Sequence, residues 1–251
     1  MMRNGIISFH IILLLLPAAV KAGIYDPIIE QIRPGNIVII GESHQQSESA
    51  QLFALLVDSA IQRYQCLTVG LEINRNQQPV IDAVMKGEAQ VSEIKIPYAI
   101  DHPGMRNLID YLAKIKSKTS CLRIEAIDAD QDRDENMADR LTDVSTDKPV
   151  LALLGSLHTL KKVVWTIKSG EPAVAEILAK RGFSVKSYPQ RWLPEKCDTG
   201  QGRASRYVSA DEPEALPILN DSLMSLINAK QHRSTAGVID GFVLWECHSN
   251  L

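Results

Sequence analysis

Four short apolar runs in this sequence each end in conspicuous polar residues. Asn36 to Ile40 leads into Gly41-Glu42-Ser43-His44, and Leu67 to Ile73 carries Glu72 near its end. Leu122 to Ile127 is followed by Asp128, Asp130 and Arg133, and Val150 to Leu154 leads into Gly155-Ser156-Leu157-His158. The chemistry such a set supports is hydrolysis. Histidine exchanges protons near neutral pH, and a carboxylate beside it raises its basicity. His44 and Glu72 form the centre, His158 and Arg133 complete it, and Glu42 is a supporting acid or base. Arg133 and the backbone N–H groups after Gly41 and Gly155 are candidates to stabilise an oxyanion. Alternatively, His44, Glu72 and His158 make a two-histidine, one-carboxylate set able to hold a divalent metal with a position left for water. The sequence leaves both open. Ser43 and Ser156 adjoin the histidines, but no Gly-x-Ser-x-Gly elbow supports a serine nucleophile. The sequence has no P-loop and no Gly-x-Gly-x-x-Gly, which disfavours nucleotide cofactors. Each residue also has a structural reading: Glu72 as an ion-pair partner of Arg133, Glu42 and Glu48 as solvated helix-start residues, Asp128 and Asp130 as turn formers.

The elements that must position these groups alternate between strand and helix. Strands are expected at Asn36–Ile40, Leu67–Ile73, Leu122–Ile127, Val150–Leu154 and Phe183–Tyr188. Helices are expected over Ser47–Tyr64, Pro79–Lys86, Met105–Ser117 and Pro172–Arg181, with Gly182 ending the last. Because the strands are continuous apolar runs, the fold class is α/β: a mostly parallel central sheet with helices on both faces. In such a sheet ligands bind outside the carboxyl ends of the strands, where the polar residues fall. The polar stretch Leu193 to Ala215 reads as a long surface loop or a lid over the crevice. A last amphipathic helix, Ala215–Ala229, precedes a final strand or edge hairpin over Gly237–Trp245.

The 251 residues are 45% hydrophobic with a formal net charge of -3, which fits an ordinary globular protein and argues against a nucleic-acid binder. Residues 1–22 have the layout of a secretory signal: Arg3, an apolar run from Ile6 to Leu16, and Val20-Lys21-Ala22 before cleavage at Gly23. The run is too short to span a bilayer, so no stable membrane anchor is expected after cleavage, and residues 23–251 form one domain in a secreted or periplasmic protein. In an oxidising compartment the four cysteines favour disulfides. Cys66 and Cys121 each precede a strand, so parallel neighbouring strands would bring them together, leaving Cys197 for Cys247.

The string Gly41-Glu42-Ser43-His44 with Glu48, then Leu71-Glu72, then Arg133-Asp134-Glu135-Asn136-Met137-Ala138, then Leu154-Gly155-Ser156-Leu157-His158 resembles the superfamily of erythromycin esterases, ChaN haem-uptake proteins and Tiki/TraB proteins. The layout is most similar to the ChaN-like branch. The resemblance implies an α/β fold with its site at the strand ends, and divided chemistry. Esterase-like members imply metal-free hydrolysis through His44, Glu42 and Glu72. Tiki-like members imply a metal-dependent protease built on the two Gly-x-x-His motifs, the Glu and the Arg. ChaN-like members imply haem binding, with His44, His102, His158 or Tyr98 as axial ligands, the loop from Pro97 to Pro103 supplying Tyr98 and His102. The leading expectation is an exported hydrolase of ester or peptide bonds acting on a small-molecule or peptide substrate. The alternative is a periplasmic haem- or metal-binding protein.

Overall fold

A computed structural model describes residues 23–145, 147–167, 170–194, 196–198, 201–223 and 228–249. The expected secretory signal lies outside the described residues. Among them, no helix is long and apolar enough to cross a membrane.

Five strands, β1 (Asn36–Glu42), β2 (Leu67–Asn74), β3 (Leu122–Asp128), β4 (Val150–Gly155) and β5 (Ser184–Tyr188), form one sheet in the order β3-β2-β4-β1-β5. Every pairing in it is parallel. The strands are apolar throughout because both faces are covered. Val38 and Ile40 of β1 with Leu151 and Leu153 of β4 pack into one cluster, while Ile37, Ile39, Ala152 and Leu154 pack into another. The first face is covered by α2 (Ser47–Tyr64), α3 (Gln78–Lys86) and α4 (Pro103–Lys116), the second by α5 (Arg133–Val144) and α6 (Val174–Lys180). A short α1 (Asp26–Ile29) packs at the edge of the first.

Strand order fixes where the crevice lies. The chain leaves β1 toward β2 and β3 on one side, and leaves β4 toward β5 on the other. β1 and β4 are neighbours, with Glu42 opposite Gly155, so the sheet changes direction between the two strands that carry the Gly-x-x-His turns. A Cβ at Gly41 would come within 2.9 Å of Ser156 Cα and Pro189 Cα, which is why the first of those turns begins with glycine.

The segment expected to be a surface loop or lid is instead a strand. Gln201–Ser209 forms β7, which pairs antiparallel with β8 (Gly241–Ser249), and β8 pairs in parallel with β6 (Gln190–Leu193). This second sheet packs on α7 (Ala215–Leu223) through Val208, Leu219, Phe242 and Leu244. Polar composition hid β7 because an edge strand needs only its backbone ladder. Arg206 on it pairs with Glu214 and with Glu246 of β8. The last helix does not reach its expected end: α7 is described over Ala215–Leu223, and Ala229 forms a bridge with Trp165.

Both expected disulfides are present, Cys66–Cys121 and Cys197–Cys247. The first joins the starts of β2 and β3, where Leu67 stands opposite Leu122. Each closes a segment of 50 or more residues, a constraint on the unfolded chain of about 4 kcal/mol in the chain-entropy account. Two such bridges fit an exported protein.

Candidate functional site

Glu42 is the last residue of β1, not the start of a helix, and only 3% of it is exposed. Its Oε1 lies 3.2 Å from Nδ1 of His44, whose side chain is 49% exposed. Burial pushes the Glu42 carboxyl above the usual carboxylate range; the bond to His44 pulls partly back, and the charge of Glu72 pushes further up. His44 is raised in turn, chiefly by its bond to Glu42, with burial opposing. Gln45, directly after His44, has φ 67°, a backbone state that costs a non-glycine residue on the order of 1 kcal/mol and clusters at functional sites. The Gln45 side chain donates to the carbonyls of Tyr98 and Ala99 at 3.1 and 3.0 Å, tying the turn to the loop after Pro97.

Glu72 sits in a register shift, where Glu72 and Ile73 of β2 stand opposite Ile127 of β3. Such a bulge re-aims side chains. Both Glu72 oxygens are engaged: Oε1 accepts from Nη2 of Arg133 at 2.8 Å, and Oε2 accepts from the Gly155 N–H at 2.6 Å. Arg133 also forks onto Asp128, with Nε and Nη2 each 2.8 Å from a carboxylate oxygen, which with Glu72 raises its pKa against burial. Asp130 accepts from Asn74 at 2.6 Å. The ion pair of Glu72 with Arg133 is thus real, and Glu72 joins β2, α5 and the turn after β4.

His158 lies in the short 3-10 turn Ser156–Thr159, its side chain 21% exposed. Its Nδ1 is 2.6 Å from Oδ1 of Asp134, which also accepts the Val174 N–H at 2.9 Å; its Nε2 is 3.7 Å from Glu72 Oε1. Burial works against a charge on this ring, but the bond to Asp134 and the field of Glu72 and Asp134 outweigh it, and the pKa is raised. His44 and His158 face each other across one point: a Cβ on Gly155 would lie 3.5 Å from Cε1 of His44, Cδ2 of His158 and Oε2 of Glu72.

His44, Glu42, Glu72, His158 and Arg133 therefore converge. His102 does not line the cleft, although its charge reaches Glu42: it caps α4, is 5% exposed, and neither ring nitrogen has a hydrogen-bond partner among the described residues. Tyr98 is 93% exposed and does not line the cleft, although Pro97, Ala99 and Ile100 of its loop do. Glu48 lies 3.5 Å from Arg203 of β7. Asp134 is the site residue that sequence reasoning missed; its only signal was its place beside Arg133 in the first turn of α5.

Two cavities meet at His44. An open cleft of about 550 Å³ runs past Glu72, Asn74, Asp130 and Arg133, and a more enclosed cavity of about 290 Å³ lies toward β6 and α7. Among the described residues, no three His, Cys, Asp or Glu side chains are grouped to hold a metal ion. The reason at this site is that the Glu72 oxygens already bind a guanidinium and an amide N–H, a poor starting point for a cation ligand. As arranged, His44, Glu72 and His158 do not fit a metal centre.

Fold and site define a parallel α/β protein with a histidine- and carboxylate-lined crevice at the point where its strand order reverses. Solved structures that align at TM-scores above 0.5 share that fold. A succinoglycan biosynthesis protein aligns at TM-score 0.63 and 8% identity over 89% of this chain and 91% of the other. An erythromycin esterase variant, EreC in its open conformation, aligns at TM-score 0.55 and 10% identity over 90% and 93%. ChaN of Campylobacter jejuni, solved with cofacial haem, aligns at TM-score 0.47 and 13% identity over 69% and 87%. No protein-family model and no curated protein matches the sequence.

Proposed function

We propose that the protein is a metal-free carboxylic ester hydrolase with His44 as its general base. The observation that carries this reading is the Glu42–His44 pair: a buried carboxylate 3.2 Å from Nδ1 of a half-exposed imidazole that borders both cavities. With Nδ1–H donating to Glu42, the lone pair on Nε2 is free to take a proton from water. That water attacks the ester carbonyl and its proton passes to His44. The carboxylate of Glu42 stabilises the imidazolium that forms.

The opposite face supplies the acid. His158, held by Asp134 and raised in pKa, carries a proton that it delivers to the departing alkoxide, so acid and alcohol are released. Arg133 is fixed by Asp128 and Glu72, leaving Nη1 without a partner among the described residues; this supports a role for it in stabilising the oxyanion. Glu72 is a positioning residue in this scheme, since both its oxygens are engaged. The erythromycin esterase of the same fold is a precedent for ester hydrolysis on this scaffold. A p-nitrophenyl ester panel tests the reading. Turnover should be present in the wild type and absent in His44→Ala, and equal residual rates in the two proteins would overturn it.

A further inference from the structure

The open cleft beside His44 is lined in part by amide and carboxyl side chains, Asn74 at the end of β2, Asn76 and Gln77 in the 3-10 turn Arg75–Gln77, and Asp130. One chain of hydrogen bonds joins all four. The Asn76 N–H donates to Asn74 Oδ1 at 3.0 Å, and the Lys95 N–H donates to Gln77 Oε1 at 2.9 Å. These two backbone donors fix which end of each amide is oxygen. The other ends follow: Gln77 Nε2 donates to Asn76 Oδ1 at 2.8 Å, and Asn74 Nδ2 donates to Asp130 Oδ1 at 2.6 Å. A donor and an acceptor are left over, Asn76 Nδ2 and Asp130 Oδ2, neither with a partner among the described residues.

The rest of the lining is of a different kind. Ile96, Pro97, Ala99 and Ile100 give the cleft an apolar loop. The bond from Lys95 to Gln77 and those from Gln45 to the carbonyls of Tyr98 and Ala99 hold this loop between the amide row and the His44 turn. The charges of the lining, Lys95 and Arg133 against Glu72, Asp128 and Asp130, nearly cancel, and Arg133 is already committed to Glu72 and Asp128. An ion of either sign therefore gains little, and an uncharged ligand with both polar and apolar parts fits best.

A hydroxyl both donates and accepts at one atom, so a set of hydroxyls meets Asn76 Nδ2 and Asp130 Oδ2 alike. A saturated ring with hydroxyls around its edge and C–H bonds on its faces uses the amide row and the apolar loop together. About 550 Å³ lies within the range of roughly 300–1,000 Å³ for small-molecule sites and leaves room for such a ring with its ester at His44. We propose that the substrate is an O-acylated sugar, whose ring occupies the open cleft and leaves as the alcohol. This rests on the hydrolase reading above and names its substrate class. Water adds across the acyl C–O bond, the acid keeps the acyl group, and the sugar oxygen takes the proton supplied by His158.

The test compares methyl 6-O-acetyl-glucoside with cyclohexylmethyl acetate, which keeps the ring size and the primary ester but lacks the ring oxygens. The expected wild-type preference in kcat/KM for the sugar ester is about tenfold. That ratio should fall below about threefold in Asn76→Ala and in Asp130→Ala, and because it is internal to each protein, partial misfolding cannot produce the change. An unchanged ratio in both variants would overturn the placement of the ring in the cleft. His44-dependent turnover with no preference for the sugar ester, or turnover of p-nitrophenyl esters alone, would overturn the sugar class and leave the hydrolase standing. Faster turnover of N-acetyl-O-acetylserine amide than of the sugar ester would also overturn it. If no ester is turned over, the hydrolase reading fails by itself. Saturation transfer from the protein to methyl glucoside by NMR, lost in Asp130→Ala, would then uphold a sugar as the ligand of the cleft, and no transfer would overturn it.

Discussion

The turns after β1 and β4 share a Gly-x-x-His pattern and lie on neighbouring strands, yet they build different histidines. His44 takes its carboxylate from two residues earlier in its own turn and keeps its side chain half in solvent. His158 takes its carboxylate from Asp134 of α5, 24 residues away in the chain, and is mostly enclosed. Both are raised in pKa. A motif therefore fixes where a histidine stands, while the partner of its second nitrogen fixes what it does. A local partner leaves His44 exposed enough to meet water as a base. The distant partner holds His158 rigidly as an acid, and ties its protonation to the packing of α5.

Replacing both rings should separate these roles most sharply. His44→Ala should lower kcat/KM on a p-nitrophenyl ester about 10³-fold or more, and His158→Ala about 10²-fold, within the range of acid–base contributions. Equal losses would erase the distinction. Removing the partners has a smaller effect, about tenfold each, but moves opposite limbs of the pH profile. His44 must be neutral to act, so Glu42→Gln, which removes the main cause of its raised pKa, should extend the acid limb to lower pH. His158 must be protonated, so Asp134→Asn should bring the alkaline limb down. If both substitutions move the same limb, one histidine carries both transfers.

Stability should report the same pair without any substrate. A histidine whose folded pKa is raised contributes stability that is fully present below its unfolded value of about 6.5 and is lost as pH rises through the folded pKa. The melting temperature should therefore decline as pH increases above that value, and Asp134→Asn should flatten the decline more than Glu42→Gln, because His158 is the more enclosed ring. The smallest effect is expected at the serine beside the first histidine. Ser43→Ala should change kcat/KM by less than about threefold, and a loss near that of His44→Ala would replace the water mechanism with a serine nucleophile.

Much of this architecture was legible in local pattern. Strands buried on both faces must be apolar throughout, so β1 to β5 stood out as runs, and the glycines and polar residues at their ends marked the turns. Parallel pairing then made Cys66 and Cys121 neighbours. The small sheet was opaque for the opposite reason. β7 is an edge strand held by its backbone bonds to β8, and its polar Arg206 satisfies Glu214 and Glu246 instead of filling a core.

By itself the sequence determined the α/β class, the positions of the strand-end turns and the residue types at the crevice, because these follow from periodicity and burial within a few residues. The tertiary structure decided that β1 and β4 lie side by side, that Asp134 is the partner of His158, and that Glu72 is bound by Arg133 and the Gly155 amide. Those facts join residues distant in the chain, and strand order and hydrogen-bond partnership across such distances leave no spacing in the sequence from which to read them.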